Sequence, residues 1–462
     1  MKRLVSVVLV LALLFTAVTV YAEEKAAKSE AFAGKTLRIV GPGGISSESA
    51  DDKLNEDGSL KEPGYNKLFA AFLEDYPGVK IEFTPATWTD WTAVLQAAVA
   101  GESADVLLHG SMLSDICLDL SKYIDKDPWV LEGLAFQPER YRQDEEKYTD
   151  YCVTGFSYTV NPYYALIDLR LLSDWGVEAP DENWTWNDLL KIAQATTGID
   201  PVTGKETYGC YPFKGKDEIR KGYTSYCASQ GIENMHYADY IWDVETSFGS
   251  AENVAALQYY KDLVACAPAS FIEGLGRDKY ASAENDLAVL LSENLSDDYL
   301  KLEKAGLLED FIFLPLPINE AAEEAADAFS SSYCGTASIA IAANAKEPDL
   351  AWEFIKWLMT DEYASEWIVD VGRMPATYTG VDYMLKALNK SESFTKTYRT
   401  ITQNFWSCFS VDQMNRVDIV LGNLEGIFNN YFVEMLNGNM TAEEAGAAMD
   451  TDFNETKNMN HK

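Results

Sequence analysis

Short apolar strands alternate with segments of helical spacing in the first part of the chain. They follow one another as strand, helix, strand, helix and strand: Leu37–Val40, Tyr65–Leu73, Val79–Phe83, Thr89–Ala100 and Ala104–Leu108. Strands that are connected through helices are typical of a parallel sheet with crossover helices. The sequence therefore predicts an α/β protein.

A second set of elements follows further along the chain. Buried strands are predicted at 287–291, 311–315 and 337–341, an amphipathic helix at 253–264 and a further helix at 348–359. No linker rich in proline, glycine or serine divides the chain. Two α/β lobes joined by more than one crossing fit this order better than two independent domains.

The first 22 residues predict a secretory signal peptide. A basic head precedes an almost wholly apolar run at 4–20, and Val20-Tyr21-Ala22 fits a small-residue cleavage site. A retained membrane anchor is the alternative, since a run of about 17 residues is at the lower limit for spanning a bilayer. The first cysteine is Cys117, so no lipid-attachment cysteine follows the run. We expect an exported protein, periplasmic or secreted, with 23–35 as a disordered leader.

The charge of the chain excludes two classes of partner. Asp and Glu number 73 against 37 Lys and Arg, which gives a formal net charge of −36. A surface this negative repels phosphate backbones and anionic lipids, so neither nucleic acid nor an acidic membrane is an expected partner.

Motifs for catalysis or metal binding are missing. The sequence has no G-x-S-x-G, no phosphate-binding loop and no H-E-x-x-H, and its three histidines are widely separated. Its seven cysteines show no C-x-x-C spacing, although Cys210 and Cys227 are plausible disulfide partners. We therefore expect no enzyme activity, no metal and no cofactor.

Tryptophans in or near predicted loops and strand ends are the most informative sign of a ligand-binding pocket in the sequence. They are Trp88, Trp91, Trp184, Trp186, Trp242, Trp367 and Trp406. The faces of sugar rings stack on Trp and Tyr, while the sugar hydroxyls need Asp, Asn, Glu or Arg partners. These residues predict a pocket for a neutral polyol; the alternative is that the aromatic side chains fill the core.

Eight segments in the same order resemble the solute-binding proteins of ABC importers, in particular the family that includes maltose-binding protein. The segments are Gly101–Val106, Leu118–Ile124, Ala165–Leu172, Trp175–Pro180, Trp184–Leu190, Phe313–Pro317, Ala351–Leu358 and Gly372–Ala376. Gly101–Val106 is similar to the family's G-x-x-P-D-V, with Ala104 in place of proline, and Ala351–Leu358 is similar to A-W-E-F-I-K-F-L.

The resemblance implies a two-lobed, periplasmic-binding-protein-like fold. Each lobe would be a central, mostly parallel sheet flanked by helices, and a multi-strand hinge would join the lobes around a cleft. We expect lobe 1 at 36–162 plus 293–335 and lobe 2 at 163–292 plus 336–462. Closure on a ligand needs no covalent chemistry, because the ligand favours the closed state through its extra contacts there.

The resemblance also implies a function and its partners. The protein would capture a carbohydrate of oligosaccharide size and deliver it to the membrane permease of an ABC transporter. We expect it to act as a monomer.

Candidate ligand-binding residues come from the positions where the segments align. They are Trp88, Trp91, His109, Ser111, Asn161, Tyr223, Glu293, Asn294, Tyr333, Arg373 and Trp406. Stacking would come from the three tryptophans and Tyr223, and hydroxyl recognition from Asn161, Glu293 and Asn294. Arg373 has an alternative role as a structural cap, and His109 as a satisfied polar residue at a strand end.

Three alternatives remain open at this point. The first is an exported glycan-degrading enzyme with paired carboxylates. The second is a binding protein for another solute, such as a polyamine, a peptide or glycerol phosphate. The third is a sensor ectodomain with the same fold, because fold alone does not determine function.

Overall fold

The computed structural model describes most of the chain. It covers residues 30–42, 64–87, 90–109, 114–136, 138–142, 151–213, 219–236, 244–277, 279–293, 295–320, 334–403 and 424–460. The predicted signal peptide lies outside these residues. Residues 30–35, expected in the disordered leader, are ordered: the Gly34 N–H donates to the Gly78 carbonyl at 2.7 Å, and the Phe32 ring lies 6.4 Å from that of Tyr76.

The described chain contains strands and helices in alternation. The strands are β1 (Thr36–Pro42), β2 (Lys80–Ala86), β3 (Val106–Leu108), β4 (Glu139–Arg142), β5 (Tyr151–Pro162), β6 (Tyr164–Asp168), β7 (Gly198–Ile199), β8 (Glu206–Pro212), β9 (Met235–His236), β10 (Glu245–Thr246), β11 (Leu287–Ser292), β12 (Phe311–Pro315), β13 (Cys334–Ile341) and β14 (Met374–Pro375). The helices are α1 (Gly64–Asp75), α2 (Trp91–Ala100), α3 (Ser121–Ile124), α4 (Trp129–Glu132), α5 (Leu169–Trp175), α6 (Trp186–Ala195), α7 (Ile219–Ser229), α8 (Ala251–Val264), α9 (Leu295–Ala305), α10 (Pro348–Thr360), α11 (Glu362–Asp370), α12 (Tyr378–Ala387), α13 (Glu392–Gln403), α14 (Leu424–Leu436) and α15 (Ala442–Asn460).

Two compact units make up the chain. Unit 1 consists of the described residues up to Val130 together with Ser338–Trp367, and unit 2 of Leu131–Ala337 together with the described residues from Ile368 onward. No helix among the described residues is long and apolar enough to cross a membrane.

Unit 1 is built on the predicted parallel strands. β1 pairs in parallel with β2 on one side and with β3 on the other, and α1 and α2 connect these strands. β13 pairs antiparallel with β3, with Ile339 opposite Leu108. Since β1, β2 and β3 run in the same direction, their carboxyl ends share one edge of the sheet.

Unit 2 contains a mixed sheet in the order β12, β6, β11, β8, β7. Only β8 and β11 pair in parallel, whereas β6 runs antiparallel to both of its neighbours. β11 and β12 run in the same direction and are connected through α9, with β6 between them. The predicted α/β class is confirmed, and the second sheet is mixed because β6 occupies this inner position.

Three segments are divided differently between the units than between the predicted lobes. The described residues of 131–162 and 293–335, expected in lobe 1, lie in unit 2, where β5 pairs with β4 and β14 and β12 pairs with β6. Residues 338–367, expected in lobe 2, lie in unit 1, where β13 pairs with β3.

Local sequence signals explain where the helices of unit 2 begin. Helix α6 begins with a capping box: Thr185 Oγ1 accepts from the Asp188 N–H, and Asp188 Oδ2 accepts from the Thr185 N–H. α5 is capped by Asp168, whose side chain accepts from the Arg170 N–H at 2.9 Å.

The stability of unit 1 should fall in acid through Asp127. Trp352 Nε1 donates to Asp127 Oδ2 at 2.7 Å, and Lys356 Nζ lies 3.0 Å from the same oxygen. Burial alone would raise the pKa of Asp127, but the Trp352 and Lys356 hydrogen bonds and the Lys356 charge bring this pKa below its ordinary value. A depressed carboxyl pKa stabilises the fold above the unfolded pKa, and this contribution is lost as the pH falls through the folded pKa.

We therefore expect the wild-type protein to lose more stability below about pH 4 than the Asp127→Asn variant does. Urea unfolding at a series of pH values measures the difference. Parallel pH curves for the two proteins would contradict this role of Asp127.

Candidate functional site

The carboxyl edge of the unit 1 sheet carries two of the predicted site residues. His109 directly follows β3, and Trp91 begins α2 just beyond the end of β2. Their ring centroids are 6.4 Å apart, with the planes inclined at 62°. Ligands of open α/β sheets bind outside the carboxyl ends of the strands, so this edge is a candidate site.

His109 holds an unusual backbone conformation at this edge. Its φ angle is 60°, in the left-handed region that non-glycine residues rarely adopt. Its N–H donates to the Ser338 carbonyl at 2.6 Å, which fixes the turn after β3, and its side chain is buried. Backbone strain of this kind is concentrated at functional sites.

A local turn positions Trp91. The Asp90 N–H donates to Thr87 Oγ1 at 3.2 Å, which bends the chain between β2 and α2. Trp91 is half-buried, so part of its ring is open to a ligand. A partly exposed indole beside a polar strand end can stack on a ring-shaped, hydroxyl-bearing molecule.

The corresponding edge of the unit 2 sheet carries a buried polar cluster around Asp298. Asp298 lies in the first turn of α9 and accepts hydrogen bonds from Tyr164, from Tyr280 at 2.5 Å and from Ser292 at 2.6 Å. Arg277 Nη2 lies 3.5 Å from Asp298 Oδ2. The five side chains of this Asp298 cluster come from β6, β11, α9 and the segment before β11.

The cluster keeps both tyrosines neutral. Burial first, and then the charge of Asp298 and the hydrogen bond to it, raise the pKa of Tyr164 and of Tyr280 well above the ordinary value. Both phenols are therefore hydrogen-bond donors to the carboxylate at physiological pH. The cluster holds the start of α9 against the carboxyl end of β11. Glu293 lies in the short connection between β11 and α9.

Asn161 and Arg373 are brought together in unit 2. In the amide orientation that satisfies both groups, Asn161 accepts from Arg373 Nη1 at 3.2 Å and donates to the Val160 carbonyl at 3.0 Å. Gly372, with φ of 78°, lies against α9: a Cβ at this position would be 2.9 Å from the Asp297 Cβ. Asn161, Glu293 and Arg373 are therefore all held next to the first turn of α9.

Tyr223 does not belong to either edge, which corrects its predicted role. Its side chain is fully buried, its hydroxyl donates to Asn253 Oδ1 at 2.7 Å, and its ring lies 5.0 Å from that of Phe428. A ring inside the core cannot stack on a ligand. Trp184, Trp186 and Trp367 are also buried, so these three fill the core, as the alternative interpretation of the tryptophans proposed.

Five predicted site residues lie outside the described residues: Trp88, Ser111, Asn294, Tyr333 and Trp406. Four residues at the unit 2 edge were not predicted: Tyr164, Arg277, Tyr280 and Asp298. None of them stands in a motif, and they come together only through the pairing of β6 with β11.

The described residues hold no group of three or more His, Cys, Asp and Glu side chains placed to bind a metal ion. Cys210 and Cys227 are both free thiols, which corrects the disulfide considered from the sequence. Burial raises the pKa of each thiol, so neither is a reactive thiolate at neutral pH.

An α/β chain with polar, partly aromatic strand ends in two separate units is typical of binding proteins for small solutes. The chain belongs to the family of bacterial extracellular solute-binding proteins, whose model matches residues 67–392. The resemblance seen in the sequence is thereby confirmed. No curated protein sequence matches the chain.

Solved structures of ABC substrate-binding proteins share the fold. One from Listeria monocytogenes, in complex with cycloalternan, is 18% identical with a TM-score of 0.64 and covers 92% of this chain and 99% of its own. The cyclic α-maltosyl-1,6-maltose binding protein of Arthrobacter globiformis is 14% identical with a TM-score of 0.65, covering 92% and 100%. A solute-binding protein of Agrobacterium radiobacter in complex with ribitol is 18% identical with a TM-score of 0.64, covering 93% and 99%.

Proposed function

We propose that the protein binds a neutral carbohydrate, of oligosaccharide size, and delivers it to the membrane permease of an ABC importer. The observation that carries the proposal is Trp91, half-buried beside the strained His109 at the carboxyl edge of unit 1. The family supports capture of an extracellular solute, and the relatives with cycloalternan, cyclic maltosyl-maltose and ribitol support a polyhydroxylated one.

The same proposal assigns roles to the two edges. Trp91 provides the stacking face in unit 1, and Asn161, Glu293 and Arg373 provide hydroxyl partners in unit 2. We propose that the protein works as a monomer and releases its ligand chemically unchanged. It reaches the periplasm or the medium through the predicted signal peptide, without lipid attachment.

A thermal-shift screen tests this function. The panel contains maltose, maltotriose, cycloalternan and ribitol, with spermidine, a tripeptide and glycerol phosphate as the other solutes that the sequence left open. A ligand that binds only the native state raises the free energy of unfolding by mass action, by about 2.7 kcal/mol at a hundredfold excess over Kd. The melting temperature rises with it. Shifts with the sugars alone support the proposal, and shifts with only one of the other solutes contradict it.

Replacing Trp91 by alanine should weaken sugar binding by about 1–3 kcal/mol, because one stacked face is lost. Isothermal titration calorimetry measures the change in Kd. Trp129→Ala is the matched control, since Trp129 is 43% exposed on α4 and is not at the end of a strand. Equal Kd values for wild type and Trp91→Ala would remove Trp91 from the site.

A further inference from the structure

The guanidinium of Arg277 lies at the carboxyl edge of the unit 2 sheet. Its Nη2 donates to Ser292 Oγ at 2.6 Å, and Ser292 is the last residue of β11. The segment that carries Arg277 precedes β11, so the side chain reaches this edge from outside the sheet. Only 14% of the side chain is exposed.

The Asp298 cluster holds this guanidinium firmly and keeps it charged. Asp298 provides the counter-ion, and the Tyr280 ring lies 5.9 Å from Arg277 Cζ in a cation–π arrangement. Burial alone would lower the pKa of Arg277, but the charge of Asp298 and the neighbouring Tyr280, Tyr164 and Glu293 raise it above the ordinary value. The side chain is therefore a fixed cationic donor.

Most of its hydrogen-bonding capacity is unused. Arg277 bonds through Nη2 alone, and its buried Nε–H has no partner among the residues that the structure describes. Buried donors in proteins are almost always paired, and a charged one is the most costly to leave unpaired. Burial leaves no room for a ligand oxygen at Nε, whereas Nη1 is not among the fully buried atoms and makes no hydrogen bond to the described residues. Nη1 is therefore the donor that a ligand can reach.

We propose that Arg277 is a ligand-binding residue that donates hydrogen bonds from Nη1 to acceptor oxygens of the bound carbohydrate. This inference rests on the proposed function. Hydroxyl, ring and glycosidic oxygens are neutral acceptors that suit it, because the Asp298 carboxylate already balances its charge. Asp298, Tyr280 and Ser292 act as positioning residues for the guanidinium.

Arg277→Lys separates binding from structure. The lysine amine can take the place of Nη2 against Asp298 and Ser292, but it has no groups at the positions of Nε and Nη1. We expect a melting temperature close to that of the wild type and a Kd about ten- to a hundredfold weaker for the panel sugar that binds the wild type best, measured by calorimetry.

Arg170→Lys is the matched control. Arg170 forms a bidentate pair with Asp168, and Asp168 lies at the opposite edge of the same sheet, where it pairs with Phe311. This variant should keep the wild-type Kd. Equal Kd values for wild type and Arg277→Lys overturn the inference and leave the proposed function standing, whereas a wild type that binds none of the panel sugars overturns both.

A crystal structure of the wild type with the same sugar gives a second test that does not depend on the variant folding. Nη1 of Arg277 within hydrogen-bond distance of a sugar oxygen supports the inference. A bound sugar that leaves Nη1 without contact overturns it.

Discussion

Replacement of Asp298 by alanine will destabilise unit 2 by about 3–5 kcal/mol, because the substitution leaves a buried cation without its counter-ion. The carboxylate is fully buried and serves Arg277 together with three hydroxyl donors, on Tyr164, Tyr280 and Ser292. Alanine removes the acceptor that these four groups share. Urea unfolding followed by circular dichroism measures the loss.

The neighbouring residue provides the control for this prediction. The side chain of Asp297 is 37% exposed and, among the described residues, its one ion pair is with Lys301 along the helix, so Asp297→Ala should change stability by about 0.5 kcal/mol or less. Equal unfolding midpoints for Asp298→Ala and Asp297→Ala would contradict the structural role of the cluster.

A double substitution tests whether the loss of stability in Asp298→Ala comes from the unpaired charge of Arg277. Arg277→Met combined with Asp298→Leu removes both charges and fills a similar volume. We expect this double variant to be more stable than Asp298→Ala alone, since an apolar pair avoids the uncompensated buried charge. It should at the same time lose sugar binding if Arg277 contacts the ligand.

The second large effect is expected at Asp105 in unit 1. This fully buried carboxylate accepts from the backbone N–H of Arg38 at 3.0 Å, from its Nε at 2.9 Å and from its Nη2 at 2.8 Å. It also accepts from the N–H groups of Lys346 and Glu347, at 2.8 and 3.0 Å. One side chain thus joins β1, the start of β3 and the turn before α10.

Asp105→Ala should therefore cost about 3–5 kcal/mol, because it unpairs the Arg38 guanidinium and leaves several N–H groups unsatisfied. Asp105→Asn keeps the shape with fewer acceptor sites, so its loss should be intermediate. Asp125→Ala, at an exposed position of the same unit, is the control. Chemical denaturation gives the free energies, and a loss for Asp105→Ala no greater than that for Asp125→Ala would contradict the account.

The elements of unit 1 could be predicted because their signals are local. The apolar runs of β1, β2 and β3 and the helical spacing between them lie within short windows, and all three strands and both helices are found where they were expected. The resemblance to solute-binding proteins pointed correctly to His109 as a strand-end residue. It gave no indication of the left-handed backbone at His109, which depends on the pairing with β13.

The unit 2 site could be predicted only in part, because it is assembled from distant positions. The hydrogen bond from Tyr164 to Asp298 joins residues 134 positions apart. Nothing in the sequence around Arg277 indicates that its side chain is buried against β11. Only the fold brings Arg277 and β11 together, so pattern analysis named Glu293 as a candidate and missed the Asp298 cluster beside it.

Tyr223 shows the limit of transferring a role by position. It lies on α7, whose residues from Gly222 to Ser225 are all buried, and a Cβ at Gly222 would be 2.0 Å from the Tyr260 hydroxyl. This close approach places Tyr223 in the core. An aromatic residue at this position has the right composition for stacking on a ligand but lies in the wrong environment.

The most direct test of the central claim is a calorimetric titration of the purified mature protein with the sugar that gives the largest thermal shift, followed by mass spectrometry of the recovered sugar. Binding of one sugar per protein chain, with the sugar recovered intact, is the result expected for a solute-binding protein. Hydrolysed sugar, or no saturable heat with any sugar of the panel, would contradict it.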